Sequence, residues 1–559
     1  MINDSVLYKG FELSVSNRLR KNLKALKRVD PELAGRVALP VASDHIPEHQ
    51  GKTYLRVHRT LHPLGLTADQ RTAACSDTID AEDVLVFGIG TGDLVDSALL
   101  GRKGKVVVWD RDPWLLRKLL DRKDYRRAID HGKLVLKLGA SLVVECESLR
   151  SLPRIDHPLL AQVYKNEHLL LRDGISEKRA LICAGTLFVD DLAEALRAEG
   201  YSVYSWDLNR LAKEELVWGA LQVKPNLVAA INYSYGLAEM CTALGCPLFV
   251  WEIDPSTDLL QPLARRADNA HVFTWRKAHV ELFQKGGFGH AEHLPLATNP
   301  ARRRPIALTA EERAHYTAPV TFIGASMLDQ ANRFQELFLR AYADFKGGEP
   351  AHRTEGQALL NAVLTAQRKD FSRYLVPTLA QRAFPEFLEA LSNKPQATDP
   401  FMLVGEIAAA EKRLSYVAAL GQQGVEVWGD DGWKAIERFG VKHRGAAGHN
   451  KDVTALYNTS SIHLDIGRIY QSDIITMRVF DVLACGGFVL AEHSNDLAEC
   501  FEIGTEVDCY RNQEEMVAKV AHYLAHPDEA AAIAKRGQAR VLADHTIQAR
   551  VSHMLGRLT

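Results

Sequence analysis

The sequence predicts an α/β protein built from consecutive Rossmann-like domains with parallel sheets. Short apolar, strand-like runs alternate with amphipathic helical stretches through most of the 559 residues. A glycine-rich turn joins one such strand to a helix in the first part of the chain, and two further series of strands follow it. Parallel strands require crossover connections that are usually helical, so this alternation is typical of sheets covered by helices on both faces.

Composition and charge narrow the possible function classes. Hydrophobic residues make up 47% and charged residues 25% of the chain, as in ordinary globular proteins. Lys and Arg (68) nearly balance Asp and Glu (70), so we expect no nucleic-acid partner. No apolar run approaches the roughly 18–20 residues of a membrane span, and the start lacks a signal-peptide pattern. The eight cysteines form no CxxC pair, and we expect a cytoplasmic protein.

The first predicted domain, residues 1–175, carries the glycine-rich turn. Gly88, Gly90 and Gly92 follow a strand and open a helix, and Asp110 ends the next strand 22 residues after Gly88. Such glycines let the backbone approach a ligand, and the acid could accept hydrogen bonds from ribose hydroxyls. The spacing resembles the first motif of S-adenosylmethionine-dependent methyltransferases. A methyltransferase or bifunctional enzyme is therefore the alternative function, and a Rossmann-like scaffold without a ligand is the other interpretation.

The remaining chain predicts two more α/β domains joined by a linker. Residues 176–300 contain one series of strands. Residues 301–318 contain three consecutive arginines, one proline and few apolar residues, which is typical of a linker. Residues 319–559 contain the last series, interrupted by a long helical stretch at about 333–425.

Two aspartates in the last domain predict a ligand site. Asp473 follows a buried strand and a short loop, where a helix entry offers backbone N–H groups to a phosphate. Asp481 lies eight residues further on, about two helical turns, which predicts the same helix face. Two acids at this spacing can bind the hydroxyls of an extended ligand such as a nucleotide-sugar. Gly486 and Gly487 are expected to end the helix.

This segment resembles the group 1 glycosyltransferases of the GT-B fold, whose Glu-x7-Glu motif has the same spacing. More closely, residues from about 180 to 559 resemble the CgeB-like (spore maturation protein type) glycosyltransferases. The residues that carry this resemblance stand in the family's order, and they are Tyr457, Asn458, Arg478, Phe480, Asp481 and the Ala-Cys-Gly-Gly run at 484–487. The resemblance implies a GT-B type pair of Rossmann-like domains, here preceded by the amino-terminal one.

The resemblance also implies a donor site in residues 319–559 and an acceptor-side domain at 176–300. It places the donor ribose at Asp481 and the sugar or phosphate region at Asp473. The other implied nucleotide-binding residues are Gly324, Ser326, Arg333, His443, Arg444, Arg478, Gly486 and Gly487. A helix cap for Asp473, a structural partner of Asp481 or Asp473 for Arg478 and a solvated helix position for Arg333 remain alternatives. The resemblance further implies a nucleotide-sugar donor, first a UDP-sugar with a GDP-sugar as the alternative, and no metal or other cofactor is expected.

Candidates for the catalytic base lie in the acceptor-side domain. Glu252 and Asp254 end an apolar strand there, and in an inverting reaction one of them could deprotonate the acceptor hydroxyl. A carboxylate that stabilises the loop before Pro255 is the alternative. The expected acceptor is a glycan, a protein or another surface structure.

Overall fold

The computed structural model describes residues 16–57, 60–185, 187–254, 260–392, 400–448 and 451–558. The chain divides into two compact units. The first comprises Met1–Val250 and Asn269–His271, and the second comprises Trp251–Asp268 and Val272–Thr559.

The amino-terminal part contains a small antiparallel sheet and a larger parallel one. The antiparallel strands are β1 (Glu48–His49), β2 (Lys52–Val57) and β3 (Thr60–Pro63). The parallel strands are β4 (Val84–Phe87), β5 (Val106–Asp110), β6 (Leu134–Leu138) and β7 (Arg154–Asp156). Their order is β6-β5-β4-β7, and all four residues of β4 are buried. A continuous apolar run of this kind suits a central parallel strand.

Ten helices accompany these two sheets in the described residues. They are α1 (Asn17–Val29), α2 (Pro31–Ala38), α3 (Ala68–Cys75), α4 (Asp93–Leu99), α5 (Pro113–Arg122), α6 (Arg126–Asp130), α7 (Ser141–Val144), α8 (Cys146–Arg150), α9 (Leu160–Val163) and α10 (Lys165–Asp173). A short 3-10 turn spans Ser76–Thr78. Side-chain caps fix several helix starts: the Asp30 carboxylate accepts from Leu33 N at 2.8 Å, with Pro31 in the first turn of α2.

The second parallel series forms a six-stranded sheet. Its strands are β8 (Arg179–Cys183), β9 (Ser202–Trp206), β10 (Leu227–Ile231), β11 (Leu248–Glu252), β12 (Ala267–Thr274) and β13 (Phe288–His293), in the order β13-β12-β11-β10-β8-β9. β8 pairs in parallel with both β9 and β10. The accompanying helices are α11 (Val189–Ala198), α12 (Lys213–Val223), α13 (Leu237–Leu244) and α14 (Lys277–Lys285).

The last sheet is parallel throughout and doubly wound. Its strands are β14 (Val320–Ile323), β15 (Val425–Trp428), β16 (Lys442–His443), β17 (Ile462–Leu464), β18 (Val489–Glu492) and β19 (Asp508–Tyr510). Their order is β16-β15-β14-β17-β18-β19, so numbered within the sheet they run 3-2-1-4-5-6. This is the Rossmann order, which switches direction between its first and fourth strands. The three parallel sheets confirm the predicted α/β fold class.

Five helices lie between β14 and β15 in the part of this segment that the structure describes. They are α16 (Leu328–Lys346), α17 (Pro350–Gln367), α18 (Val376–Ala383), α19 (Pro385–Ser392) and α20 (Pro400–Ala418), preceded by α15 (Ala310–Tyr316). Buried residues such as Phe338, Leu360 and Val404 form their own apolar core. Ile469 and Tyr470, from the loop after β17, belong to the same core. This helical insertion is therefore packed onto a loop at the edge of the last sheet.

The remaining helices surround the last sheet. They are α21 (Lys451–Tyr457), α22 (Met477–Ala484), α23 (Asn495–Cys500), α24 (Gln513–Ala525), α25 (Pro527–Asp544) and α26 (Ile547–Leu555), with 3-10 turns at Gly421–Gln423 and Asp431–Phe439. None of the helices that the structure describes combines the length and apolar character of a membrane-spanning segment.

Candidate active site

The carboxyl ends of β14 and β17 form the candidate site. In a doubly wound sheet, ligands bind outside the carboxyl ends of the strands at the point where the strand order reverses, and β14 and β17 are the two strands on either side of it. The turn after β14 begins at Gly324, and the loop after β17 begins at Asp465. Ligand-binding side chains are therefore expected on these two connections.

Arg478, near the start of α22, joins the two strand ends. Its Nη2 and Nε donate to Ile323 O at 2.6 and 3.2 Å, and its Nη1 pairs with Asp465. Thr476 Oγ1 donates to the same carboxylate at 2.6 Å. The side chain thus lies at the predicted edge, with most of its donors bound within the chain. Arg478 is thus the structural partner of Asp465, whereas the alternative named Asp481 or Asp473.

Asp473 lies in the loop before α22 rather than at the helix entry. The helix begins at Met477 with Thr476 as its N-cap residue, so Asp473 and Asp481 do not share one face of a helix. That prediction was wrong because the loop after β17 is longer than the apolar pattern indicates. The Asp473 carboxylate, 31% exposed, instead pairs with Arg276 at 3.1 Å.

Asp481 is buried and bound within the chain. Its two carboxylate oxygens accept from Thr298 Oγ1 at 2.6 Å and from Arg303 Nε at 3.0 Å. Arg303, which is 5% exposed, belongs to the predicted linker. A donor ribose would have to share or displace these partners, and the ribose role of Asp481 stays a prediction.

The turn after β14 and the first insertion helix hold the other predicted phosphate contacts. Ser326 is fully buried, its Oγ bonds Asp430 Oδ1 and its backbone N donates to Asp430 Oδ2 at 2.8 Å. Gly324 O accepts from Trp433 Nε1 at 2.9 Å. Arg333 lies on the exposed side of α16, beside Phe334. The Ser326 hydroxyl is therefore already hydrogen-bonded to Asp430. The exposed position of Arg333 agrees with the alternative in which it is a solvated helix residue.

His443 and Arg444 follow the neighbouring strands at the same edge. His443 Nε2 lies 3.2 Å from Gly429 O. The Arg444 guanidinium lies 5.4 Å from the centre of the Trp428 ring and donates to His315 O at 2.9 Å. These side chains stand at the ends of β15 and β16, which suits the predicted base-binding region.

Gly486 and Gly487 lie at the opposite edge of the sheet. They end α22 immediately before the amino end of β18, since the crossover returns the chain to the start of the next strand. Gly486 has φ +80, and a Cβ on Gly487 would come within 2.6 Å of Tyr457 O. The prediction that they bind the nucleotide is therefore not supported, because they serve the helix end and close packing.

The two candidate bases differ in accessibility. Glu252 is 8% exposed at the end of β11, whereas Asp254 is exposed. The pKa of Arg468 is raised. Burial acts to lower it, but the nearby groups raise it by more, and these are Tyr470, Glu406 and, more weakly, Asp254. Asp254 therefore lies within electrostatic reach of Arg468 in the loop after β17.

Sequence reasoning missed several cationic residues at this edge. Arg413, on α20, donates through Nη1 to Ala325 O at 2.9 Å and through Nη2 to Ile466 O at 3.2 Å. Arg468 pairs with Glu406 at 3.2 Å. The only available signal for Arg413 was a Glu-Lys-Arg run inside a stretch of small and apolar helical residues.

The glycine-rich turn of the amino-terminal sheet is filled by the chain itself. A Cβ on Gly90 would lie 2.3 Å from His157 Nε2, and one on Gly88 would lie 2.8 Å from Leu160 Cβ. The Asp110 carboxylate, fully buried, accepts from Ile89 N at 2.7 Å and from Tyr164 Oη at 2.9 Å. Burial raises the pKa of Asp110 to about 7. These contacts favour the ligand-free scaffold over the methyltransferase alternative.

Two further properties bear on the chemistry of the chain. The described residues contain no group of three or more His, Cys, Asp or Glu side chains arranged to hold a metal ion. All eight cysteines are free thiols.

Comparison with known proteins provides a family for the carboxy-terminal part. Residues 385–556 match the family model described as glycosyl transferase-like, which is less than a third of the chain. The segment runs from α19 to α26 and includes the loop after β17 and the whole of α22. No curated protein matches the chain. The carboxy-terminal segment is therefore similar to glycosyltransferases.

Several solved structures are similar to the chain at low identity. A glycosyltransferase from Rickettsia africae has a TM-score of 0.37 and 10% identity, over 68% of this chain and 97% of its own. Anabaena HepE in complex with UDP and glucose has a TM-score of 0.37 and 12% identity, over 68% and 99%. Sucrose-phosphate synthase from Thermosynechococcus elongatus has a TM-score of 0.36 and 13% identity, over 68% and 98%. Similarity at this level does not determine the ligands of this chain.

Proposed function

We propose that the protein transfers a sugar from a nucleotide-sugar to a hydroxyl group of a glycan, a protein or another surface structure. The observation that carries this proposal is the cationic edge at the switch point of the last sheet, within a segment that matches a glycosyltransferase family model. Arg413, Arg468 and Arg478 gather there at the ends of β14 and β17. A diphosphate leaving group needs this kind of positive charge.

The proposed donor is a UDP-sugar, with a GDP-sugar as the alternative. The base would lie at the ends of β15 and β16, beside His443 and the Arg444 guanidinium near Trp428. The diphosphate would lie toward the ends of β14 and β17. Asp473 and its partner Arg276 would face the sugar, because this ion pair is partly exposed and Asp473 lies in the loop after β17. Guanidinium groups supply the positive charge, so we propose that the reaction needs no metal.

Asp254 is the proposed catalytic base. It is exposed, follows the carboxyl end of β11 and contributes to the electrostatic environment of Arg468. In an inverting reaction its carboxylate takes the proton of the acceptor hydroxyl. The acceptor oxygen then bonds to the anomeric carbon, and the bond from that carbon to the diphosphate oxygen breaks. The nucleoside diphosphate leaves with both electrons of that bond. Glu252, which is buried, is the weaker candidate.

We further propose the CgeB-like subgroup and a cytoplasmic location. The subgroup rests on the ordered set Tyr457, Arg478, Phe480, Asp481 and Cys485. Two of them make hydrogen bonds that connect separate segments. Arg478 joins the ends of β14 and β17, and Asp481 accepts hydrogen bonds from residues 298 and 303. Eight free thiols suit a reducing compartment. In this proposal residues 176–300 are the acceptor side, 301–318 the linker and 319–559 the donor side, and 1–175 is a Rossmann-like domain without an assigned role.

Isothermal calorimetry tests the donor site. UDP and GDP are titrated separately into the protein in the presence of a chelator. We expect one of them to bind, and the Arg444→Ala variant to bind it at least tenfold more weakly because the stacked guanidinium beside the base is lost. The matched control is Arg438→Ala, an arginine that lies beside Phe439 in a 3-10 turn of the same sheet domain. If neither UDP nor GDP binds, the proposal is refuted.

A further inference from the structure

Three arginines from three segments meet at the switch point, and one of them lacks an acidic partner. Arg478 pairs with Asp465, and Arg468 pairs with Glu406. Arg413 comes from the helical insertion, on α20. Among the residues that the structure describes, no carboxylate forms an ion pair with Arg413.

The Arg413 side chain is held in place by neutral groups. Its two hydrogen bonds go to Ala325 O and Ile466 O, the carbonyls just beyond β14 and β17. Its guanidinium lies 5.5 Å from the centre of the Phe322 ring, and that of Arg478 lies 4.7 Å from the same ring. Nε is buried without a hydrogen-bond partner, whereas the bond to Ala325 O is open to solvent. The side chain is thus fixed in position and still reachable at one end.

The electrostatics of this arrangement favour an anion. Burial, followed by the neighbouring charges of Arg478 and Arg468, lowers the pKa of Arg413 to about 10. The side chain remains charged at neutral pH, so three guanidinium groups repel one another at one strand edge. A bound phosphate group would offset that repulsion and accept charge-assisted hydrogen bonds.

We propose that Arg413 binds the diphosphate of the donor, so that the helical insertion supplies a phosphate-binding residue of the active site. This inference rests on the proposed function and deepens it. Arg413 takes the phosphate-binding role that the resemblance implies for Arg333, which lies on the exposed side of α16. The exposed Ala325 leaves the turn after β14 open beside it, while the Ser326 hydroxyl is bound to Asp430.

A purely structural role is the competing explanation, in which Arg413 only ties the turn after β14 to the loop after β17. The two roles differ in what they do to ligands. A phosphate-binding residue affects UDP and pyrophosphate but not uridine, whereas a residue that only orders the two connections affects uridine and UDP together.

Calorimetry with UDP, uridine and pyrophosphate separates these roles. We expect Arg413→Met to bind UDP and pyrophosphate at least tenfold more weakly than the unmodified protein, with uridine binding unchanged. Arg413→Lys keeps the charge and should lose less. The control is Arg368→Met, an insertion arginine whose partner is Glu411 on the surface of α20, and it should bind all three ligands normally.

The outcomes distinguish this inference from the proposed function. Unchanged UDP affinity in Arg413→Met, or an equal loss of UDP and uridine binding, would overturn the assignment while leaving the donor site intact. If Arg413→Met does not fold, the same three ligands are titrated into Arg413→Lys. A variant that binds pyrophosphate normally but has lost uridine binding would show that Arg413 has a structural role, which would overturn the assignment. If the unmodified protein binds neither UDP nor GDP, the proposed function itself fails.

Discussion

At the scale of single residues, the site depends on pairs that are distant in sequence. Asp481 was recognisable from its spacing to Asp473, but its partners Thr298 and Arg303 lie about 180 positions earlier. A hydrophobic pattern does not indicate such partners, because it reports which face of an element is buried and not what meets it. The three arginines at 302–304 were therefore predicted to belong to a linker, although Arg303 is buried.

The Arg303–Asp481 ion pair is expected to be essential to stability. Removing one member of a buried pair leaves an uncompensated charge, so Arg303→Met should lower the free energy of unfolding by about 3–5 kcal/mol. Urea denaturation measures this loss. Lys285→Met is the control, since its pair with Glu281 is largely exposed and should contribute less than about 1 kcal/mol. Equal losses in the two variants would contradict the structural assignment.

The glycine-rich turn offers a second residue-scale prediction. Gly90 (φ +56) and Gly101 (φ +74) both have left-handed backbones, but only Gly90 has a side chain, His157, in the path of a Cβ. Gly90→Ala should therefore lose about 1–3 kcal/mol more than Gly101→Ala in urea denaturation. Matching losses would mean that the turn is open, and thermal stabilisation by S-adenosylmethionine would revive the methyltransferase alternative.

At the scale of elements, apolar strands and their order of appearance were predictable, but helix boundaries were not. Buried runs such as those of β4 and β14 indicate central strands directly. The start of α22 did not follow from sequence, because the apolar residues Ile474 and Ile475 continue the helical pattern upstream into a loop. Arg413 went unnoticed for a related reason: nothing in a long helical stretch marks which residue reaches the edge of a sheet.

Helix capping tests the revised boundary of α22. Asp473 is four residues before that helix, so Asp473→Ala should change the free energy of unfolding by less than about 1 kcal/mol, the contribution of a partly exposed ion pair. Ser494→Ala should cost about 1 kcal/mol or more, because its Oγ accepts from Leu497 N at 3.0 Å at the start of α23. Donor affinity should fall only in Asp473→Ala. A stability loss in Asp473→Ala equal to that of Ser494→Ala would restore the capping role.

At the scale of the whole molecule, several histidines are neutral in the folded protein, of which His463 and His545 are buried and His279 is half-buried. Burial, reinforced by nearby arginines, lowers the pKa of His463 to about 3 and those of His279 and His545 to about 4. A histidine whose pKa is depressed in the folded protein contributes fully to the free energy of unfolding when the pH is above its unfolded pKa of about 6.5. That contribution is lost as the pH falls toward the folded pKa. We therefore expect the protein to be less stable at pH 5 than at pH 7.5, by about 2 kcal/mol for each such histidine.

Urea denaturation at the two pH values measures this change. His463→Gln should lose part of the pH dependence, because the group that must take up a proton on unfolding is absent. His526→Gln serves as the control, since this histidine is exposed. Equal stability at pH 5 and pH 7.5 would contradict the neutral state of the buried histidines.

The central claim is that the chain is a nucleotide-sugar glycosyltransferase with Asp254 as its base. The most direct test measures release of nucleoside diphosphate from a panel of UDP- and GDP-sugars, with a chelator present, by the unmodified protein and by Asp254→Asn. The matched control is Asp268→Asn, an exposed aspartate on β12 paired with Arg266. We expect turnover of one donor, reduced at least 100-fold, about 2.7 kcal/mol of transition-state stabilisation, in Asp254→Asn only. Turnover of no donor, or full activity in Asp254→Asn, would contradict the account.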